Sequence, residues 1–343
     1  MSIQKKNMPL VSVVMPVYNG ESFLQEAIDS VLCQTYSNIE LIIVNDGSTD
    51  RTEDIILSYS DPRIHYHKNE QNLHIVASLN KGFRIAKGYF IARMDADDIC
   101  MPQRIECQVN YMQKHTDVDV CGTWAIKINE DGGKIGCIRG FTDSKMIACA
   151  SLFTTPLVHP SVMFRRSIVK EEMYNPMIQG AGQDLELWSR LSLEGRVLAN
   201  IPSFLMKYRW YDGNVSSKHI EKGFDLARKT LLPSVELFLK RHIATEEFLL
   251  HRLSYMIKAY GVKNDLFVLD EKLMDKEKLW IEELSCYNNQ YGVFDKASFD
   301  ALLFLRWVIC CVAIGKKQII PSIRIKFYSP SIISKLIRYA ARF

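Results

Sequence analysis

The chain has 343 residues, 48% hydrophobic and 24% charged, with a formal net charge of +4. That length can bury a core without staples, and the charge is too small to argue for nucleic acid as a partner. Nine cysteines without a C-x-x-C pair or zinc-type His/Cys spacing argue against a disulfide framework or structural zinc and fit a reducing cytosol.

The first apolar run, residues 10–17, reads as a strand. It is too short for a signal segment and is broken by Pro16, so no secretory targeting is expected and the active domain is expected to stay inside the cell. A helix follows over about 21–34, with Leu24, Ala27, Ile28, Val31 and Leu32 on one face. Strands at 39–44, 64–67 and 89–94 alternate with helices near 52–60 and 75–86. Such alternation predicts the start of a doubly wound α/β fold, with a nucleotide-binding half over about 1–98. The next stretch predicts a helix at 102–115, strands at 118–121, 123–128 and 161–164, a helix at 184–193 and a strand ending at Tyr208-Arg209. Together they make an acceptor half over about 99–216. Beyond Tyr211 the pattern turns helical, with runs at 224–241, 246–259, 272–285 and 299–314, so 217–343 reads as a helical extension. The last of these runs is apolar but short and carries Arg306, which argues against a membrane-spanning helix.

Two strands end in acidic loops. After the strand at 89–94 comes Met94-Asp95-Ala96-Asp97-Asp98, three carboxylates in four residues, whose mutual repulsion calls for a cation. Ligands in open α/β sheets sit at the carboxyl ends of strands, and Mg²⁺ or Mn²⁺ held there by one or two carboxylates completes its shell with phosphate oxygens and water. A plain helix-capping turn would use the same residues. The second loop is Asn45-Asp46-Gly47-Ser48-Thr49-Asp50, in which Asp-Gly is also a strong turn signal by itself.

Four motifs in order, the strand and turn at residues 10–20, the turn at 45–50, the run at 95–98 and Gly182-Gln183-Asp184-Leu185-Glu186-Leu187-Trp188, resemble those of family 2 glycosyltransferases. The resemblance covers roughly residues 10–216. It implies an inverting GT-A enzyme, a Rossmann-like nucleotide-binding half on a mixed central sheet, here with a C-terminal helical extension. By resemblance, Asp46 binds uracil N3–H and Tyr18 stacks on the ring, with Pro16 in the same nucleotide-binding turn. Asp95 faces the ribose or a metal-bound water, Asp97 ligates Mn²⁺ or Mg²⁺ bridging the diphosphate, and Asp184 is the general base. Arg93, His159, Trp188 and Asp212 are candidate contacts to diphosphate or acceptor. Two departures stand out: Gln183 occupies the place of a usual glutamate, and Trp210-Tyr211-Asp212 replaces a segment where many relatives carry a metal histidine. Asp212 or water could fill that position.

The expected partners are a UDP-sugar and a saccharide acceptor on a lipid carrier, as in bacterial surface polysaccharide assembly, with no nucleic acid. Residues 315–343 carry seven basic side chains, Lys316, Lys317, Arg324, Lys326, Lys335, Arg338 and Arg342, and no acidic one. A helix after Ser329-Pro330 would set Ile332, Ile333, Leu336, Ile337 and Ala340 opposite Lys335, Arg338 and Arg342, the pattern of an interfacial helix. A peripheral place on the inner face of the cell membrane follows. Two other classes fit part of the pattern. A non-catalytic nucleotide-sugar-binding module would explain the missing histidine, and a sugar-nucleotide pyrophosphorylase shares the Rossmann-like half but needs a glycine-rich phosphate loop that Pro16-Val17-Tyr18-Asn19-Gly20 does not supply.

Overall fold

The computed structural model describes residues 8–178, 181–211, 223–260, 263–264, 267–268, 270–313 and 315. The chain divides into two compact units. The first holds the described residues of Met1–Thr142, Leu157–Leu187 and Arg196–Lys218, and the second those of Asp143–Pro156, Trp188–Gly195 and His219–Phe343.

The first unit is built on one mixed sheet. Its strands are β1 (Val11–Val17), β2 (Ile39–Asn45), β3 (Ile64–Lys68), β4 (Phe90–Arg93), β5 (Ile99–Cys100), β6 (Val120–Ile128), β7 (Lys134–Ile138), β8 (Met163–Arg165) and β9 (Leu198–Arg209). They run in the order β3-β2-β1-β4-β8-β6-β9-β5, with β7 paired to β6. The first four are parallel, and β8 is antiparallel to both its neighbours. Every residue of β1, β2 and β4 is buried, as continuous apolar runs are when helices cover both faces of parallel strands.

Helix α1 (Leu24–Leu32) buries Leu24, Ala27, Ile28 and Val31, the face its sequence period predicts, and these side chains join Val13, Met15, Leu41 and Ile43 in one core cluster. Helices α2 (Thr52–Leu57), α3 (His74–Ile85) and α4 (Arg104–Lys114) follow β2, β3 and β5. Helix α4 contributes Ile105, Val109 and Met112 to the same core, where truncating one such side chain to alanine costs about 2–5 kcal/mol. Under the end of β4 lies Arg104, fully buried, donating to the Arg93 carbonyl at 2.7 Å and to Gln108 Oε1 at 3.1 Å. Gln108 in turn donates to the carbonyls of Cys121 and Ser161 at 2.9 Å each. This buried network ties β4, α4, β6 and the 3₁₀ turn His159–Ser161 together beneath the carboxyl ends of the strands.

Three local expectations are corrected. The stretches at 118–121 and 123–128 form one strand, β6, whose register with β9 shifts around Thr123 and Trp124, so the break in the pattern is a bulge rather than a strand end. The segment expected as strand at 161–164 is a 3₁₀ turn begun by His159 with Pro160 inside it, followed by β8. Strands β5 and β7 and helix α5 (Ser144–Ser151) were absent from the sequence pattern, β5 because two residues carry no period and β7 because its edge position leaves it half exposed. Asp143 caps α5 by accepting from the main-chain N–H groups of Lys145 (3.0 Å) and Met146 (3.2 Å), a signal legible in Asp-Ser.

The second unit collects α5, the later turns of α6 (Gln183–Leu193), and α7 (Gly223–Leu239), α8 (Thr245–Tyr260), α9 (Glu271–Tyr291) and α10 (Lys296–Ala313), with a short hairpin, β10 (Lys263–Asn264) and β11 (Phe267–Val268). Asp270 caps α9, and Gly292 ends it at φ +63°, a left-handed conformation favouring glycine. Arg306, read from sequence as unsuited to a bilayer, has a protein role: its guanidinium donates to the His251 carbonyl at 2.6 Å, lies 3.7 Å from Glu277 and packs 4.4 Å from the Phe153 ring. No helix among the described residues is long and apolar enough to cross a membrane. The basic tail, residues 316–343, lies outside the described residues.

Candidate active site

Three strands of the first unit deliver the site. The loops after β1 and β2 are laced together: Asn19 N–H donates to Ser48 Oγ (2.9 Å), Gly20 N–H to Thr52 Oγ1 (2.8 Å), and Thr49 N–H to Asn19 Oδ1 (2.9 Å). Pro16 is buried within β1, whereas Tyr18, just past its end, is 48% exposed, leaving its ring available to a ligand. Asp46 is 3% exposed. Its Oδ1 accepts from Asn69 Nδ2 (2.8 Å) and the Leu73 N–H (3.0 Å), and Oδ2 has no protein partner among the described residues. Gly47 follows at φ +72°, and a Cβ there would lie 2.7 Å from the Gln71 main chain, so the close approach of these two loops requires glycine.

The acidic run after β4 is held from two sides. Arg93, 2% exposed, grips Asp95 with both terminal nitrogens, one bond measuring 2.6 Å from Nη1 to Oδ2. On the other side, Arg209 at the end of β9 donates its N–H to Asp98 Oδ1 (2.8 Å) and its Nε to the Asp97 carbonyl (2.8 Å). The Tyr211 hydroxyl donates to Asp97 Oδ2 at 3.3 Å. Pairing of β5 with β9, Ile99 opposite Lys207, closes the exit of the loop.

Asp95, Asp97 and Asp98 each present a carboxylate oxygen within 4.8 Å of the others. Burial and then repulsion from Asp95 push the Asp97 carboxyl up to about 6, and burial with repulsion from Asp97 and Asp95 pushes Asp98 well above the usual carboxylate range. Asp98 Oδ2 is buried without a hydrogen-bond partner. Crowded hard oxygen donors, short of positive charge and with one orphaned atom, fit a divalent cation of the Mg²⁺ or Mn²⁺ class.

Asp184 sits in the first turn of α6, where its Oδ1 accepts from the Leu185 N–H at 2.9 Å. Burial raises its affinity for a proton and Asp95 adds to this, while the Leu185 N–H and the charge of Arg93 oppose it. Asp184, Arg93, Asp95 and Tyr174 therefore share one electrostatic environment. His159, 8% exposed, meets the Tyr174 hydroxyl through Nε2 at 2.9 Å, and burial together with Arg93 holds it neutral. Tyr174 is anchored by Asn80, whose side chain bonds both its N–H (2.9 Å) and its carbonyl (2.8 Å). Trp188 lies one turn after Asp184 on α6 with its ring fully buried. Asp212 lies outside the described residues.

Sequence reasoning missed Asn69, Tyr174, Arg209 and Tyr211. Arg209 and Tyr211 flank the end of the predicted strand at 208–209, so their position was legible but not their aim at the acidic run. Asn69 and Tyr174 carry no motif signal, since only tertiary contact brings them to Asp46 and His159.

The sequence model of glycosyl transferase family 2 matches residues 12–172. An uncharacterised glycosyltransferase of Haemophilus influenzae is 34% identical over 248 residues, covering 69% of this chain and 76% of that protein. This chain belongs to glycosyltransferase family 2. An uncharacterised glycosyltransferase of Methanocaldococcus jannaschii is 38% identical over 209 residues, 59% of this chain and 71% of that protein. Among solved structures, Staphylococcus aureus TarS 1–349 covers 93% of both chains with a TM-score of 0.55 at 15% identity. The Pyrobaculum calidifontis mannosyltransferase PcManGT, solved with GDP-Man and Mn²⁺, covers 84% of this chain and 88% of its own with a TM-score of 0.51 at 14% identity. At such identities the likeness is one of fold, and the fold is the GT-A fold with a C-terminal helical extension. The protein is a glycosyltransferase.

Proposed function

We propose that this family 2 enzyme moves a sugar from a UDP-sugar to a saccharide hydroxyl with inversion at the anomeric carbon. The observation that carries the reading is the crowding of Asp95, Asp97 and Asp98 in the same electrostatic environment as Asp184, at the carboxyl ends of strands of which β2 is followed by Asp46. TarS 1–349 has been solved with UDP-GlcNAc, which supports a uridine nucleotide as donor.

In this reading the open Oδ2 of Asp46 accepts the imide N–H of uracil, and the Tyr18 ring covers one face of the base. Asp97 and Asp98, with Asp95, would hold Mn²⁺ or Mg²⁺. When bound, that ion supplies Lewis-acid stabilisation of the diphosphate leaving group. Arg93 fixes Asp95 in one rotamer. Arg209 and Tyr211 hold the loop closed around the carboxylates. Asp184 takes the proton of the acceptor hydroxyl as it attacks the anomeric carbon from the face opposite the nucleotide. Partial burial places its proton affinity nearer to neutrality, and Arg93 keeps its ionised form populated, which suits a general base.

The acceptor in this reading is a glycan on a lipid carrier, and residues 316–343 hold the enzyme on the anionic inner face of the membrane, where each basic residue contributes about 1 kcal/mol. Surface polysaccharide assembly is the corresponding process. NMR of the product formed from an α-linked UDP-sugar tests the chemistry: a β-linkage is expected, and an α-linkage would contradict both inversion and the role of Asp184. Sedimentation with anionic liposomes at low salt tests the tail, with binding expected for the full chain and lost on deleting 316–343.

A further inference from the structure

We propose that Lys81 sets the nucleobase selectivity of the donor pocket by fixing the side-chain amide of Asn69, an inference that rests on Asp46 receiving the base. Asn69 is 5% exposed, and the two ends of its amide face different partners. Its Oδ1 accepts from Lys81 Nζ at 2.7 Å, while Nδ2 donates to Asp46 Oδ1 at 2.8 Å and to Ser78 Oγ at 2.9 Å. The nitrogen and oxygen of an amide look alike by shape, and the network decides which is which. Here the decision is forced, because an ammonium only donates and a carboxylate only accepts. Lys81 is itself anchored by donating to the Lys68 carbonyl at 2.9 Å, and the Asn69 N–H is tied to the Asn45 carbonyl at 2.8 Å.

The consequence falls on Asp46. Its Oδ1 is saturated by Asn69 and by the Leu73 N–H at 3.0 Å, so the carboxylate is held in one orientation with Oδ2 as its open acceptor. Uracil offers an N–H to that atom at its imide edge, and guanine offers one at N1. Cytosine presents a ring nitrogen lone pair at the corresponding place, and two acceptors facing each other repel. Rejection by an unpaired buried polar group is a stronger filter than shape, because the wrong base leaves the carboxylate desolvated without a donor. Without the ammonium, Asn69 Oδ1 loses its charged donor, so the amide is held from the Asp46 and Ser78 side alone and the carboxylate is less firmly fixed. Lys81 lies at the third position of a Leu79-Asn80-Lys81-Gly82 stretch on α3, half-buried, so its stem is replaceable without opening the core.

Calorimetric titration of UDP, GDP and CDP into the full-length wild type, Lys81→Met and Lys81→Arg, with Mn²⁺ present, tests this. The wild type is expected to prefer UDP over CDP, Lys81→Met to compress that preference about tenfold, chiefly by weakening UDP, and Lys81→Arg to keep it because a donor remains. A selective wild type whose UDP:CDP ratio survives Lys81→Met overturns the proposal and leaves the donor assignment standing. A wild type that prefers GDP overturns the uridine assignment, and then the role of Lys81 stands only if Lys81→Met compresses the GDP:CDP ratio. A wild type that binds none of the three overturns both.

Discussion

In the first unit three carboxylates crowd one loop at a strand end, whereas in the second a single carboxylate, Glu277, is sealed between helices beside Arg306. Both regions contain orphaned acid oxygens: Asp98 Oδ2 in one, Oε1 and Oε2 of Glu277 in the other. The difference lies in the surrounding charge and in access. Arg93 is committed to Asp95 and only partly offsets the repulsion between Asp97 and Asp98, and Asp95 and Asp97 remain half-buried rather than sealed. Glu277 is fully buried with its cation already present, and the same Arg306 nitrogen that faces it, Nη2, also donates to the carbonyls of His251 (2.6 Å) and Leu250 (3.3 Å). Like charges at an accessible strand end leave a charge that a ligand can relieve, while unlike charges in a sealed core are already offset, even though each group alone looks equally unsatisfied.

The largest effect expected on this contrast is at the site. Asp184→Asn should lower turnover by about 10² or more while leaving UDP affinity within a few-fold, the size associated with losing a general base. Steady-state transfer rates beside UDP titrations separate the two, and a variant that retains turnover would remove Asp184 from the chemistry. In the second unit the corresponding loss is one of stability. Arg306→Met strips the Leu250 and His251 carbonyls of a donor and should cost roughly 2–4 kcal/mol in chemical denaturation, without changing UDP affinity in the folded protein. A variant as stable as the wild type would show that the buried pair contributes nothing.

A smaller and pH-dependent effect is expected at Glu277, whose carboxyl is pushed up to about 8 by burial, with Arg306 acting in the opposite direction. The folded value lies above the ordinary one, so the stability this group contributes is complete below about 4.5 and is lost as pH rises through about 8. Cys310 also faces it, and His251, held neutral by burial and by Arg306, shares the Arg306 guanidinium. His251 acts in the opposite sense, contributing stability above its ordinary value that is lost toward acid. Glu277→Gln removes only the alkaline loss. Its melting temperature relative to wild type should therefore rise between pH 5 and pH 8, and a constant difference across that window would contradict the burial of an ionisable acid.

The two regions were not equally legible in the sequence. The acidic run, the Asp46 turn and the Asp184 segment stand out because each is a short string of polar residues interrupting an apolar period, and strand alternation fixed where the loops emerge. What held those side chains was not legible. Arg93 could have faced solvent or phosphate, and only the β4 backbone and the underlying Arg104 network turn it onto Asp95. Asn69 and Lys81 lie in a stretch with no motif, and the packing of α3 against β1 and β2 brings Lys81 to Asn69 and Asn69 to Asp46. The Glu277–Arg306 pair was invisible because its partners are 29 residues apart on separate helices, with no period linking them. Local pattern reports loops and faces, whereas charge pairing across elements is a property of the fold.

The central claim is that the acidic loop and the nucleotide diphosphate share one divalent ion. Titrating UDP into wild type and Asp97→Ala, each with and without Mn²⁺, measures this directly, with Glu277→Gln as the control from the other cluster. Mn²⁺ should tighten UDP binding by at least about tenfold in the wild type and in Glu277→Gln, the scale of one shared charge contact, and should have little effect in Asp97→Ala. Equal UDP affinity with and without Mn²⁺ in the wild type would contradict it.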